Sequence, residues 1–162
     1  AQHQVDLDAV IFIPCRQSPH KANAPKGTDA QRAEMIRLAT RDLLWAKVSQ
    51  LELEREEPSY SWQTAQWFAE QHPEAELFWI LGSDQWGVLA KWARPDVLAD
   101  LLTFLVFPRD LPIEPKAEFR HRVRDFDHRA SSTAVRGGRP AGREFLDPAV
   151  FEYAEREGIY WD

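Results

Sequence analysis

The residues of this chain able to do chemistry sit in short groups, each placed where an apolar run or a helix signature ends. Gly82-Ser83-Asp84 follows the run Leu77-Phe78-Trp79-Ile80-Leu81. Gly82 has no Cβ and lets a ligand approach the backbone, and Asp84 can accept hydrogen bonds from a ribose. The same residues read equally as a turn glycine and a helix cap. Ser131-Ser132-Thr133-Ala134-Val135-Arg136 is a hydroxyl-rich helix start that stops at Gly137-Gly138. Free backbone N–H groups at such a start suit an anion, although ordinary capping uses the same residue types. Ser18-Pro19-His20-Lys21 lies in the loop Cys15 to Gly27, where phosphate contact and plain solvent exposure are both open. Arginine is concentrated from Arg120 to Arg143, with Arg122, Arg124, Arg129, Arg136 and Arg139 between them. That segment reads either as a grip on a small polyanion or as a solvated face balanced by Asp125, Asp127 and Glu144.

The elements that must position these groups alternate in type. Ala9 to Ile13 reads as a buried strand ending at Pro14. Thr28-Asp29-Ala30-Gln31 is a capping-box start for a helix with Ala33, Met35, Ile36, Ala39 and Leu43 on its apolar side. Ala46 to Leu53 predicts the next strand, with a change of phase inside it. Ser61 is placed as the N-cap of a helix to Gln71 that Pro73 stops. Leu77 to Leu81 reads as a strand buried on both faces and therefore mid-sheet. A short helix Gln85 to Leu89, a helix start at Arg94-Pro95-Asp96 and the strand Leu101 to Phe107 follow, ending at Pro108-Arg109. Lys116 to Arg122 is expected as a short helix and Val123 to Phe126 as a weak strand. Asp147-Pro148 starts a last helix that Gly158 ends ahead of Ile159-Tyr160-Trp161. Such alternation predicts a doubly wound α/β fold, a mostly parallel sheet with helices on both faces. Ligands of such sheets collect outside the carboxyl ends of the strands, where the groups above lie.

The totals fit one ordinary domain spanning 1–162: 162 residues and 18.8 kDa, 44% hydrophobic and 28% charged. A net charge of −6 argues against a protein that coats nucleic acid or an anionic membrane. No apolar run approaches a membrane span and no signal peptide is recognisable. The single cysteine, Cys15, excludes an internal disulfide and suits a reducing, cytoplasmic setting.

Taken together, the motifs resemble the bacterial nicotinate-nucleotide adenylyltransferase family, within the Rossmann-like nucleotidyltransferase superfamily. Pro19-His20-Lys21 is similar to the family's Pro-His-(Lys/Arg) loop, and Leu51-Glu52-Leu53-Glu54-Arg55 with Pro58-Ser59-Tyr60-Ser61 to its "ELxR…PSYT" stretch. Ile80 to Asp84 resembles "IIGxD", Lys91-Trp92 the pyridine-contacting tryptophan, Pro108-Arg109 the arginine after a late strand, Ser131 to Arg136 the "ISSTxIR" signature, and Gly158-Ile159-Tyr160 the "GLY" ending. Each motif is weak alone, and their shared order and spacing over nearly the whole chain carries the resemblance.

The resemblance implies adenylyl transfer from ATP to nicotinate mononucleotide, giving nicotinate adenine dinucleotide and pyrophosphate in NAD biosynthesis, with Mg²⁺ accompanying ATP. The phosphate of the mononucleotide attacks the α-phosphorus directly, so no protein nucleophile is needed. It further implies that Gly82 and Asp84 hold a ribose region, that Ser132, Thr133 and Arg136 cradle ATP phosphates with His20 and Lys21 also on phosphates, and that Trp92 stacks on the pyridine ring. Backbone around Tyr60 and Ser61 would meet the pyridine carboxylate, and Arg109 a mononucleotide phosphate. Residues 131–162 would then be the C-terminal phosphate-binding and helical part of the domain.

Three departures from the family pattern stand out. Ser61 replaces threonine and Ala130 replaces isoleucine. The first strand, its "GGxFDPxHxGH" loop and most of the helix behind it have no counterpart, about 25 to 30 residues; His3 is not that motif's histidine, and the catalytic histidines are left unassigned. The expectation is that the native protein carries this segment, because without it the sheet would have open strand edges. A nicotinamide mononucleotide enzyme, or a non-catalytic nucleotide-binding domain if the chain truly begins at Ala1, are the alternatives. Homo-oligomerisation is left open.

Overall fold

The structure, a computed structural model, describes residues 1–16, 26–56, 58–109, 111–125 and 130–161. Along these the chain forms α1 (Gln2–Val5), β1 (Val10–Phe12), α2 (Asp29–Thr40), β2 (Ala46–Val48), α3 (Ser61–Gln71), β3 (Leu77–Gly82), α4 (Ser83–Val88), a 3₁₀ turn (Leu89–Lys91), α5 (Pro95–Leu101), β4 (Leu102–Phe107), β5 (His121–Val123), α6 (Ser132–Arg136), α7 (Arg139–Phe145) and α8 (Pro148–Arg156). Every described ladder is parallel: β1 with β2, and β3 with β4 with β5. Parallel neighbours require a crossover, and helices supply it, α2 between β1 and β2 and α4 with α5 between β3 and β4. The fold is the α/β arrangement with parallel strands and crossover helices that the alternation predicts.

The chain divides into two compact units, Ala1–Leu7 with Tyr60–Asp127, and Asp8–Ser59 with His128–Asp162. In the first, β4 is the strand buried throughout: Leu102, Thr103, Phe104, Leu105 and Val106 are all shielded, with neighbours on both edges. Its register sets Leu77 opposite Leu102 and Gly82 opposite Phe107. Ala65 of α3, Trp86 of α4, Leu89, Leu98 of α5 and Phe119 close the core around it. Trp86 is almost wholly buried, and its indole N–H stays satisfied by donating to the Glu114 carbonyl at 2.8 Å.

In the second unit, the capping box at Thr28 forms as its sequence predicts, Gln31 N–H donating to Thr28 Oγ1 at 3.2 Å and Thr28 N–H to Gln31 Oε1 at 2.9 Å. Met35 of α2 packs with Val135, Val150, Phe151, Ala154, Ile159 and Trp161. Asp147 caps α8 by accepting from Ala149 N–H at 2.9 Å, and the same carboxylate pairs with Arg41 at 2.8 Å just past the end of α2. Gly158, at φ 59, ends α8 in the left-handed region.

Four elements differ from the sequence reading. Among the described residues β3 lies at the end of its three-stranded ladder instead of mid-sheet, with β4 as its hydrogen-bonded neighbour there, and its Ile80 is 42% exposed. β2 stops at Val48, because Ser49 Oγ accepts the Leu51 N–H and Gln50 O the Leu53 N–H, turning the chain where the apolar phase changes. Lys116 to Arg122 is a turn leading into β5, which begins at His121, since the Arg120 carbonyl is taken by Phe104 N–H of β4. After the paired glycines the chain does not stay irregular: Arg139-Pro140 starts α7, proline sitting in the first turn where its missing N–H costs nothing.

Candidate active site

At the carboxyl end of β3 the backbone passes straight into α4, with Gly82 as N-cap. A Cβ on Gly82 would come 2.5 Å from Asp84 Oδ1, so glycine is what lets the Asp84 carboxylate fold back over the strand end. That Oδ1 is buried and has no hydrogen-bond donor among the described residues. Oδ2 is 3.4 Å from Gln85 Nε2 and 3.9 Å from Arg109 Nη1. A carboxylate oxygen removed from water without a donor is costly, and a ligand hydroxyl would relieve it. Ser83, fully buried, accepts the Arg109 N–H on Oγ at 3.1 Å and so ties the end of β4 to the end of β3. Gly82, Asp84 and Arg109 are thereby brought together. The sequence marks Ser83 only as a possible cap of the following helix; Gly82 takes that place, and the tie from Ser83 to Arg109 is not legible there.

Trp92 closes the 3₁₀ turn, its N–H donating to Leu89 O at 3.0 Å, and packs half-buried against the core of the same unit. Arg94 takes a left-handed φ of 50 just before α5, secured by a two-toothed pairing with Asp96, and its guanidinium lies 5.8 Å from the Trp62 ring centroid. Tyr60, not Ser61, is the N-cap of α3; its carbonyl accepts from Gln63 N–H at 3.1 Å, and Ser61 opens the first turn. Amide N–H groups in a first helical turn lack intrahelical acceptors.

Ser132, Thr133 and Arg136 stand in the other unit, on α6. Ser131 takes the cap, its Oγ accepting Ala134 N–H at 3.0 Å, which leaves Ser132, Thr133 and Arg136 exposed. A helix of one and a half turns has little macrodipole, so hydroxyls and the guanidinium must carry any anion binding here. Beside them is a cavity of about 300 Å³ lined by Ala130, Ser131, Ser132, Val135, Arg136, Phe145, Leu146 and Tyr160. In the same unit Asp29 of α2 pairs with both Arg16, at 3.3 Å, and Arg32. Arg32 also donates to the Cys15 carbonyl and Arg16 to the Arg55 carbonyl at 3.1 Å, bracing the chain just past β1 against the loop after β2. Asp29 is legible as a helix-start residue, but its arginine partners are not. His20 and Lys21 lie outside the described residues. Among the described residues no three His, Cys, Asp or Glu side chains gather as metal ligands, and no helix is long and apolar enough to cross a membrane.

Residues 1–138 match the family model described as cytidylyltransferase-like. A probable nicotinate-nucleotide adenylyltransferase of Methylacidiphilum infernorum is 36% identical over 166 residues, spanning 97% of this chain and 79% of the relative. The nicotinate-nucleotide adenylyltransferase of Bacillus subtilis is 32% identical over 98% of this chain and 85% of its own length. The chain belongs to the nicotinate-nucleotide adenylyltransferase family. Its fold is shared by the nicotinic acid mononucleotide adenylyltransferase of Plasmodium falciparum in complex with NaAD, with a TM-score of 0.77 at 15% identity over 95% of this chain and 83% of that one. As a member of this family the chain is an enzyme of the nucleotidyltransferase type.

Proposed function

We propose that this adenylyltransferase joins nicotinate mononucleotide to ATP. An oxygen of the mononucleotide phosphate attacks the α-phosphorus of ATP, a new P–O bond forms, and the bond to the β-phosphate breaks to release pyrophosphate. No side chain need become covalently attached, so the protein acts by holding two anions in line and offsetting their charge. The observation that carries the reading is the Asp84 carboxylate, buried on one oxygen with no donor among the described residues, at a strand's carboxyl end and flanked by Gly82 and Arg109.

Asp84 accepts a ribose hydroxyl, Gly82 lets the nucleotide approach, and Arg109 meets a mononucleotide phosphate. Trp92 stacks on the pyridine ring while the backbone at Tyr60 and Ser61 donates to its carboxylate. Ser132, Thr133 and Arg136 hold ATP phosphates, as do His20 and Lys21. Mg²⁺ arrives with ATP, coordinated by phosphate oxygens and water instead of a protein cage. Residues 1–162 belong to one nucleotidyltransferase domain working in the cytoplasm.

Initial rates with nicotinate mononucleotide and with nicotinamide mononucleotide, each with Mg-ATP, test the substrate. Losing a charge-assisted hydrogen bond costs about 1.5–3 kcal/mol, so the acid should be preferred roughly tenfold to a hundredfold in kcat/KM. Equal rates for the two would contradict the carboxylate assignment.

A further inference from the structure

The C-terminal segment Ile159-Tyr160-Trp161 is anchored from both sides of its middle residue. Ile159 and Trp161 are each 7% exposed and belong to the same apolar cluster, while Tyr160 between them packs at the edge of that cluster and lines the cavity beside α6. The anchoring of Trp161 is specific. Its indole N–H donates to the Val135 carbonyl at 2.9 Å, its ring meets Phe151 at 5.3 Å between centroids, and it fills the space that Gly142 leaves by having no Cβ. The Tyr160 ring in turn leans edge-on against Trp161 at 5.7 Å. The phenol is therefore held by packing at the cavity wall and loses little further freedom when it meets a ligand.

The cavity wall has two chemistries. Val135, Phe145 and Leu146 make an apolar side, and Ser132, Arg136 and Tyr160 a polar one. At about 300 Å³ it is at the small end of ligand pockets. The charged groups acting on the Tyr160 hydroxyl are the guanidinium groups of Arg136 and Arg32, and burial outweighs both, so the phenol's pKa lies above its ordinary value and it keeps its proton at neutral pH. Arg32 is itself fixed by the carbonyls of Cys15 and Arg16 and by Asp29. An O–H donor on a cavity wall that also carries Ser132 and Arg136 is complementary to an anion with several acceptor oxygens.

We propose that Tyr160 is a further phosphate-contacting residue, its hydroxyl donating to an oxygen of the phosphate chain that Ser132 and Arg136 hold. The proposal rests on the assignment of ATP phosphates to α6. Tyr160→Phe removes the donor and keeps the ring, so the packing with Trp161 is retained. Titration calorimetry on the full chain should show Tyr160→Phe weakening ATP and inorganic pyrophosphate alike, about tenfold. Affinity for nicotinate mononucleotide and the melting temperature should stay where they are. Arg136→Ala serves as the parallel measurement. If it weakens ATP and Tyr160→Phe does not, the phenol has no such contact and the phosphate reading of α6 stands. If neither weakens ATP, both are overturned. Loss of ATP affinity without loss of pyrophosphate affinity would place the phenol on the nucleoside, and loss of mononucleotide affinity as well would make it a packing residue; either result overturns the proposal.

Discussion

Asp84 keeps one carboxylate oxygen out of water with no donor among the described residues, and Gly82 is the residue that makes room for it. Gly82 has an ordinary φ of −84, so alanine is not strained there; the added methyl would instead push the carboxylate aside. Gly82→Ala should therefore lower kcat/KM by about tenfold or more while moving stability by under about 1 kcal/mol, in steady-state kinetics paired with thermal melts. A large stability loss with normal kinetics would mean that Asp84 is a structural cap and nothing else. Trp92 makes a different prediction. Stacking contributes about 1–3 kcal/mol per ring, so Trp92→Ala should raise the KM for the pyridine nucleotide roughly fivefold to a hundredfold and leave that for ATP nearly unchanged. Equal effects on both would place the indole in the core alone.

Between elements, two contacts hold the second unit's helices in register. Gly142 of α7 faces the Trp161 indole so closely that a Cβ there would overlap the ring. Both sides are buried and the indole is pinned by Val135, so the overlap cannot be relieved cheaply. Gly142→Ala should cost about 1–3 kcal/mol in denaturant titrations. The Arg41–Asp147 pair links the end of α2 to the cap of α8. The hydrogen bond from Arg41 holds the Asp147 carboxyl below the usual carboxylate range, aided by the Ala149 N–H and against a smaller desolvation effect. A depressed folded-state pKa stabilises above the unfolded value and the contribution fades as pH falls through the folded one. Melting temperatures followed from about pH 6 to about pH 3 should then fall less steeply below about pH 4 in Arg41→Ala than in the parent. Identical acid limbs would show that the pair contributes nothing.

For the whole molecule, the sequence made visible what local chemistry determines. The capping box at Thr28, the stop at Gly158, and the Asp147-Pro148 start all form as their residue types dictate, because each is satisfied within four residues. Strand placement was less legible, since Leu77 to Leu81 is as apolar as Leu102 to Val106 and only the pairing partners separate a ladder's end from its centre. The contacts of Ser83, Arg16 and Arg32 and the place of Tyr160 at a cavity wall were not legible for a related reason: their partners lie from a few to many tens of residues away, and no periodicity reports them. The family resemblance supplied what residue chemistry left open, namely the order of the motifs, and the comparisons bear it out.

The most direct measurement is product formation by the full chain, purified and supplied with nicotinate mononucleotide and Mg-ATP, with dinucleotide and pyrophosphate followed together. Nicotinate adenine dinucleotide and pyrophosphate should appear in equal amounts, and Asp84→Ala should reduce both at least about a hundredfold while the protein stays folded. Binding of both nucleotides with no turnover, or turnover indifferent to Asp84, would contradict the account.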